Sequence, residues 1–265
     1  MAEFNNTIEG AFVTGTAAAD TITNSGDYST LDGGKGDDEI TNEADNVSID
    51  AGKGDDEVYT QGENAYIELG AGDDSIYNSS DYSYIYAGSG DDSIDNWYSA
   101  NSHVYAGSGN DSIDNWRSAN SYVDSGSGDD TISNYGDSAQ VYGGNGDDYI
   151  SNSNGAFATI DSGSGDDSIV NSGANSYVYG DSGDDTISNS GANSYVYGDS
   201  GDDTISNSGA NSYAYGGNGD DYIYNGGTDS TVFGGRGDDE ISLSNTVRGT
   251  KIAYSFGDGD DTVYN

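Results

Sequence analysis

Residues 180–197, GDSGDDTISNSGANSYVY, are followed at 198–215 by the same eighteen residues with one change, Val196 becoming Ala214. This repeat extends in both directions. A Gly-Asp-Asp triplet, once Gly-Asn-Asp, begins at Gly36, Gly54, Gly72, Gly90, Gly109, Gly128, Gly146, Gly165, Gly183, Gly201, Gly219, Gly237 and Gly259, and a degenerate copy, AADTITN, lies at 18–24. The steps are 18 or 19 residues until the last, of 22. Self-similarity at a fixed period is the mark of a solenoid, in which each coil touches only its neighbours. Residues 18–265 therefore read as a single solenoid of about 14 coils, and residues 1–17 as an N-terminal segment or degenerate cap.

Each unit divides into two nine-residue halves, a turn followed by a short strand. GGKGDDEIT at 33–41 represents the first half and NSGANSYVY at 189–197 the second. The eighth residue of the first half is aliphatic throughout, from Ile22 and Ile40 to Ile241 and Val263. That of the second half runs from Leu31 and Ile49 to Val196, Ala214 and Val232. Strand side chains alternate, so the two columns should face each other across a thin core between two parallel sheets. The second half opens with Asn in eleven of twelve coils, Asn24 to Asn225 with Thr60 the exception, a register that predicts an internal amide ladder.

Of the 265 residues, 48 are Asp or Glu and 6 are Lys or Arg, a formal charge of −42. Nucleic acid is excluded as a partner, because six scattered cations cannot neutralise a phosphate backbone. The absence of Cys removes disulfides and zinc-thiolate sites. No apolar run reaches the ~20 residues of a membrane helix, and the opening MAEFNNTIEG lacks the features of a cleaved signal. Stacked Gly-Asp-Asp turns would set column upon column of like charge, which calls for a hard cation with oxygen ligands. Calcium suits such loops better than magnesium, which demands a tighter octahedron and holds its waters.

GGKGDDEIT, GGNGDDYIS and GGRGDDEIS resemble the GGxGxDxUx nonapeptide of the RTX (repeats-in-toxin) family, a calcium-binding β-helix repeat. The resemblance spans 18–265 and implies an all-β, right-handed parallel β-roll with calcium between successive turns. Its sixth-position ligands would be Asp38, Asp56, Asp74, Asp92, Asp111, Asp130, Asp148, Asp167, Asp185, Asp203, Asp221, Asp239 and Asp261. About one Ca²⁺ per gap between adjacent loops is expected. In the family both halves commonly carry the aspartate turn. Here NSGANSYVY has Ser in that place, so calcium is expected on one edge, with Asn holding the other. SFGDGDDTV at 255–263 resembles the segment that closes RTX blocks. The chain ends soon after it, without the stretch the family uses for type I export, and reads as a fragment of a secreted protein.

Outward positions of the second sheet carry Tyr177, Tyr179, Tyr195, Tyr197, Tyr213 and Tyr215, and Trp97 and Trp116 occupy matching places in two lengthened coils. Same-face stacking explains them by default, and a platform for polysaccharide or a cell surface is the alternative. Threonine-serine pairs on the first sheet lack the xGTGND turns of ice-binding relatives and read as a solvated face. The single histidine, His103, has no nucleophile context. A carbohydrate-active solenoid enzyme stands as a third reading without a specific motif. The expectation is a calcium-folded, extracellular repeat module, with end-to-end self-association open to it.

Overall fold

The computed structural model describes residues 1–253 and 259–265, so 255–258 of the closing SFGDGDDTV lie outside the described residues. Two compact units, Met1–Ile132 and Ser133–Asn265, are distinguished. In the first, strands such as Thr21–Asn24, Glu39–Asn42 and Glu57–Thr60 form one sheet, and Thr30–Lys35, Ser48–Lys53 and Tyr66–Ala71 form the other. In the second unit the same alternation places Ser168–Asn171, Thr186–Asn189 and Thr204–Asn207 in one sheet, and Tyr195–Ser200, Tyr213–Asn218 and Thr231–Arg236 in the other. Each pairs in parallel with the equivalent strand one coil on, as Ile187 with Ile205 and Val196 with Ala214. The described strands make an all-β parallel β-solenoid of about 14 coils. Residues 1–17 supply the strands Glu3–Asn6 and Phe12–Thr14, which pair with Thr21–Asn24 and Thr30–Lys35.

Strand side chains alternate between core and solvent as the nine-residue halves require. Both aliphatic columns are buried, from Ile22 and Leu31 to Val232 and Ile241. Val263 departs from the expectation: it is 39% exposed, because its strand, Thr262–Tyr264, pairs on one side only, with Glu240–Leu243. The cores stay thin because each coil contributes only one or two aliphatic side chains per sheet, as Ile67 and Leu69 do in one strand, and much of the remaining interior is polar.

The turns depend on glycine at two places. Gly52 and Gly54 have φ of 110° and 126°, and a Cβ on either would collide with the carbonyl oxygen of Gly34 or Gly36 in the preceding coil. Only a residue without Cβ permits both the left-handed backbone and that approach. The opposite turns reach left-handed φ with Asn instead, as at Asn175, Asn193 and Asn211.

Candidate metal centre

The predicted ligands from Asp38 to Asp239 are brought into one column at a single edge of each unit, all 1–2% exposed. The column is ordered by the backbone. The N–H of Asp38 donates to Asp56 Oδ1 at 2.7 Å, Asp56 to Asp74 at 2.7 Å, Asp74 to Asp92 at 2.8 Å and Asp92 to Asp111 at 2.8 Å. In the second unit Asp167 donates to Asp185 at 2.8 Å, Asp185 to Asp203 at 2.9 Å and Asp203 to Asp221 at 2.9 Å. Asp239 donates to Asp261 Oδ1 at 3.2 Å, and Asp261 itself is only half-buried.

One oxygen of these carboxylates is thus satisfied, and at most of them the other is not. Oδ2 of Asp38, Asp56, Asp74, Asp92, Asp111, Asp185, Asp203 and Asp221 is buried without a hydrogen-bond partner. What it faces is another acceptor. At Gly33 the point where a Cβ would stand lies 2.7 Å from Asp38 Oδ2 and 2.5 Å from the carbonyl oxygen of Ala51, one coil on. The same pairing recurs at Gly180, Gly198 and Gly216. Buried acceptors turned toward acceptors, with no N–H or O–H between them, fit a cation.

The protonation equilibria follow from that geometry. Burial, reinforced by neighbouring carboxylates and only partly offset by the backbone N–H, pushes Asp56 and Asp92 up to about 7. Burial likewise raises Asp185 to about 7 and Asp221 to about 8. Asp74, Asp111 and Asp203 rise to about 6 for the same leading reason. Asp20, at the degenerate copy, is the internal control. Its Oδ1 accepts from Ala2 N–H at 2.7 Å and its Oδ2 from Thr16 N–H at 2.6 Å, and its carboxyl is held below the usual range, first by the Ala2 bond.

The opposite edge is built from donors. Asn171 Nδ2 donates to Asn189 Oδ1 at 2.7 Å, Asn189 to Asn207 at 2.8 Å and Asn207 to Asn225 at 2.8 Å. In the first unit Asn6 donates to Asn24 and Asn24 to Asn42, each at 2.7 Å. Serines in the place of the family's second aspartate complete it: Ser212 Oγ donates to Gly191 O and Ser230 Oγ to Gly209 O, each at 3.1 Å. Carbonyls that resemble those of the aspartate edge are here capped by hydroxyls and amides, and among the described residues this edge buries no carboxylate.

The fifth-position carboxylates, whose role the motif leaves open, form a third ladder on the exposed rim. Asp202 N–H donates to Asp184 Oδ1 at 2.8 Å and Asp220 to Asp202 at 2.8 Å, toward the preceding coil, while the buried column donates toward the following one. Substituting Asn110 preserves the pattern, since Asp129 N–H donates to Asn110 Oδ1 at 2.9 Å. Among the described residues no three acidic or histidine side chains gather around one point, so main-chain carbonyls would supply most oxygens of any site.

The aromatic columns stack. Tyr177 and Tyr195 are 5.0 Å apart and 7° from parallel, Tyr195 and Tyr213 4.8 Å and 1°, and Tyr179 and Tyr197 5.1 Å and 7°. Trp97 lies on Trp116 at 5.3 Å. Ring faces within these stacks are covered by the next ring, which leaves edges and hydroxyls toward solvent. The order breaks at Tyr215, which meets Tyr197 at 70° and Phe233 at 72°, opening a shallow recess of ≈ 320 Å³ lined also by Tyr195 and Tyr213.

The RTX calcium-binding nonapeptide repeat (four copies) matches residues 32–67, 68–96, 99–121, 140–156, 161–196, 179–213, 197–232 and 215–245. The chain belongs to this RTX repeat family. Calcium binding is the property these RTX repeats carry, and the buried column contains the family's sixth-position aspartates. No curated protein matches the chain. A solved structure from an Antarctic bacterium, a hyperactive, Ca²⁺-dependent, β-helical antifreeze protein, is 22% identical over 96% of this chain and 83% of that one, with a TM-score of 0.47. Among the described residues of this RTX chain no helix is long and apolar enough to cross a membrane.

Proposed function

We propose that this is an extracellular calcium-folded module, in which Ca²⁺ sits between successive turns of the aspartate edge and supplies the positive charge the edge lacks. The ligands would be the thirteen sixth-position aspartates, Asp38 through Asp261, with turn carbonyls completing each shell. The observation that carries this reading is the buried Oδ2 turned toward a carbonyl oxygen with no donor between them. Without cation, burial of unpaired carboxylates costs several kcal/mol apiece, so binding and folding are one equilibrium. A chain of formal charge −42 repels itself when calcium is scarce, which favours export in an extended state and folding outside, where calcium is millimolar.

Far-UV circular dichroism during a calcium titration from full chelation, with magnesium as the control, tests the proposal. A coil-to-sheet transition driven by calcium and not by magnesium is expected. An unchanged sheet spectrum under chelation at neutral pH would refute it.

Glycan binding is a second reading, favoured at the recess around Tyr215, where the broken stack uncovers ring surface for a sugar face. Retention on insoluble polysaccharide should fall when Tyr197 and Tyr215 are replaced by Ser while the calcium-induced spectrum persists. Equal retention of variant and native chain would remove this reading.

A further inference from the structure

The residue that opens each aspartate turn varies along the chain, and its side-chain direction is inward. It is glycine at Gly180, Gly198 and Gly216, alkyl at Ala51, Leu69, Ala87 and Ala106, and serine at Ser125 and Ser162. The alkyl residues and both serines are 0% exposed. At the glycine turns the Cβ position is crowded by two groups: Oδ2 of the aspartate five residues on, and the carbonyl oxygen of the next turn's first residue. A Cβ there comes closer to both oxygens than real Cβ atoms do, so an alkyl side chain and the carboxylate compete for the same space. The competition is steric, and it also replaces polar surroundings with hydrocarbon beside a charge.

Serine resolves the competition differently. Ser162 Oγ donates to Gly180 O at 2.9 Å, the carbonyl that a glycine turn leaves facing the carboxylate, while Asp167 Oδ2 stays buried without a hydrogen-bond partner. A neutral donor thus occupies the carbonyl at this serine turn, where the glycine turns have none.

Resting on the calcium placement proposed above, we infer that the first residue of each turn grades the calcium sites: glycine turns bind tightly, alkyl turns weakly, and serine turns weakly too, because their hydroxyl already occupies one carbonyl that would face the ion. The native chain then holds fewer tight ions than it has gaps between turns. Its middle alkyl run, Ala51 to Ala106, substitutes apolar packing for part of what calcium supplies elsewhere.

Equilibrium dialysis and isothermal titration of the full chain with calcium alone test this. The native protein should show at least two affinity classes. Ala106→Gly and Ser162→Gly should each add one tight ion per chain, and Gly198→Ala should weaken one site by on the order of 10–100-fold, as changes in the surroundings of metal ligands do. Should Gly198→Ala fail to fold, the two gain-of-site variants decide. Uniform affinity in the native chain, with unchanged counts in both gain variants, overturns the grading and leaves the calcium placement standing. A native chain that binds no calcium overturns both.

Discussion

Replacing Asn189 tests whether the asparagine edge is held by its donors. Its Nδ2 donates to Asn207 Oδ1 at 2.8 Å and Gly191 O at 3.2 Å, and its Oδ1 accepts from Gly191 N–H at 3.2 Å and Asn171 Nδ2 at 2.7 Å. Two of these partners have substitutes: Gly191 O also accepts from Ser212, and Asn171 also donates to Gly173 O. Gly191 N–H and Asn207 Oδ1 do not. Asn189→Ala therefore strands two buried polar groups, at about 1–3 kcal/mol each, for an expected loss of about 2–6 kcal/mol. Asn189→Asp keeps the shape but turns a donor into an acceptor facing Asn207 Oδ1 and Gly191 O, so it should destabilise more than alanine does. Urea unfolding of both variants in saturating calcium, followed by circular dichroism, gives the two values. A loss below about 1 kcal/mol for alanine, or an aspartate variant no worse than alanine, would refute the argument that donors hold this edge.

The buried aspartates predict an inverted pH response under chelation. Their folded-state values of about 6–8 lie above the ordinary 3.8, so the folded state binds the extra protons. Their stabilising contribution is complete below that ordinary value and is lost as pH rises through 6 to 8. With chelator the sheet spectrum should strengthen on acidification from pH 8 to 5, with calcium it should not change, and a chelated chain better folded at pH 8 contradicts the assignment. Asp203→Asn should retain the bond from Asp185 N–H and add a donor toward Gly216 O; it should thus move the acid-induced sheet of the chelated chain to higher pH while lowering the calcium count, and a shift to lower pH would count against it. Gly52→Ala forces a Cβ into the Gly34 carbonyl at a φ of 110° and should cost more than about 1 kcal/mol in urea unfolding at saturating calcium; a neutral effect would contradict the turn geometry.

The period, both aliphatic columns and the asparagine ladder are legible in the sequence because each is a single residue type at a fixed interval, and parallel stacking converts interval into contact. The buried aspartate column is legible as a motif. That most of these carboxylates have only one oxygen satisfied is not, since this depends on the turn's backbone angles. The fifth-position ladder is hidden for a similar reason: an exposed Asp reads as solvated charge until the amide one coil on is seen to donate to it. The tyrosine columns read equally as platform or stack, and only ring planes separated by 5.0 Å and tilted by 7° show that the faces cover each other. Val263 fits the pattern of a core residue, yet pattern cannot tell an inner strand from an edge.

The 19-residue coils carry their extra residue on the asparagine side, as in Asn96–Tyr105 and Asn115–Asp124, while every aspartate turn spans six residues from its first position to its sixth-position carboxylate, both included. Asp92 still donates to Asp111 at 2.8 Å across such a coil, and Asn96 still finds Asn115 at 2.8 Å. A whole coil copied into the gene would meet the same donors above and acceptors below that its template met, so a duplication needs no compensating change. The matching pair at 180–215 has the form such an event leaves behind. A one-residue insertion, by contrast, is survivable on one edge and ruinous on the other, which makes the length of this protein a quantity that evolution can adjust in whole turns.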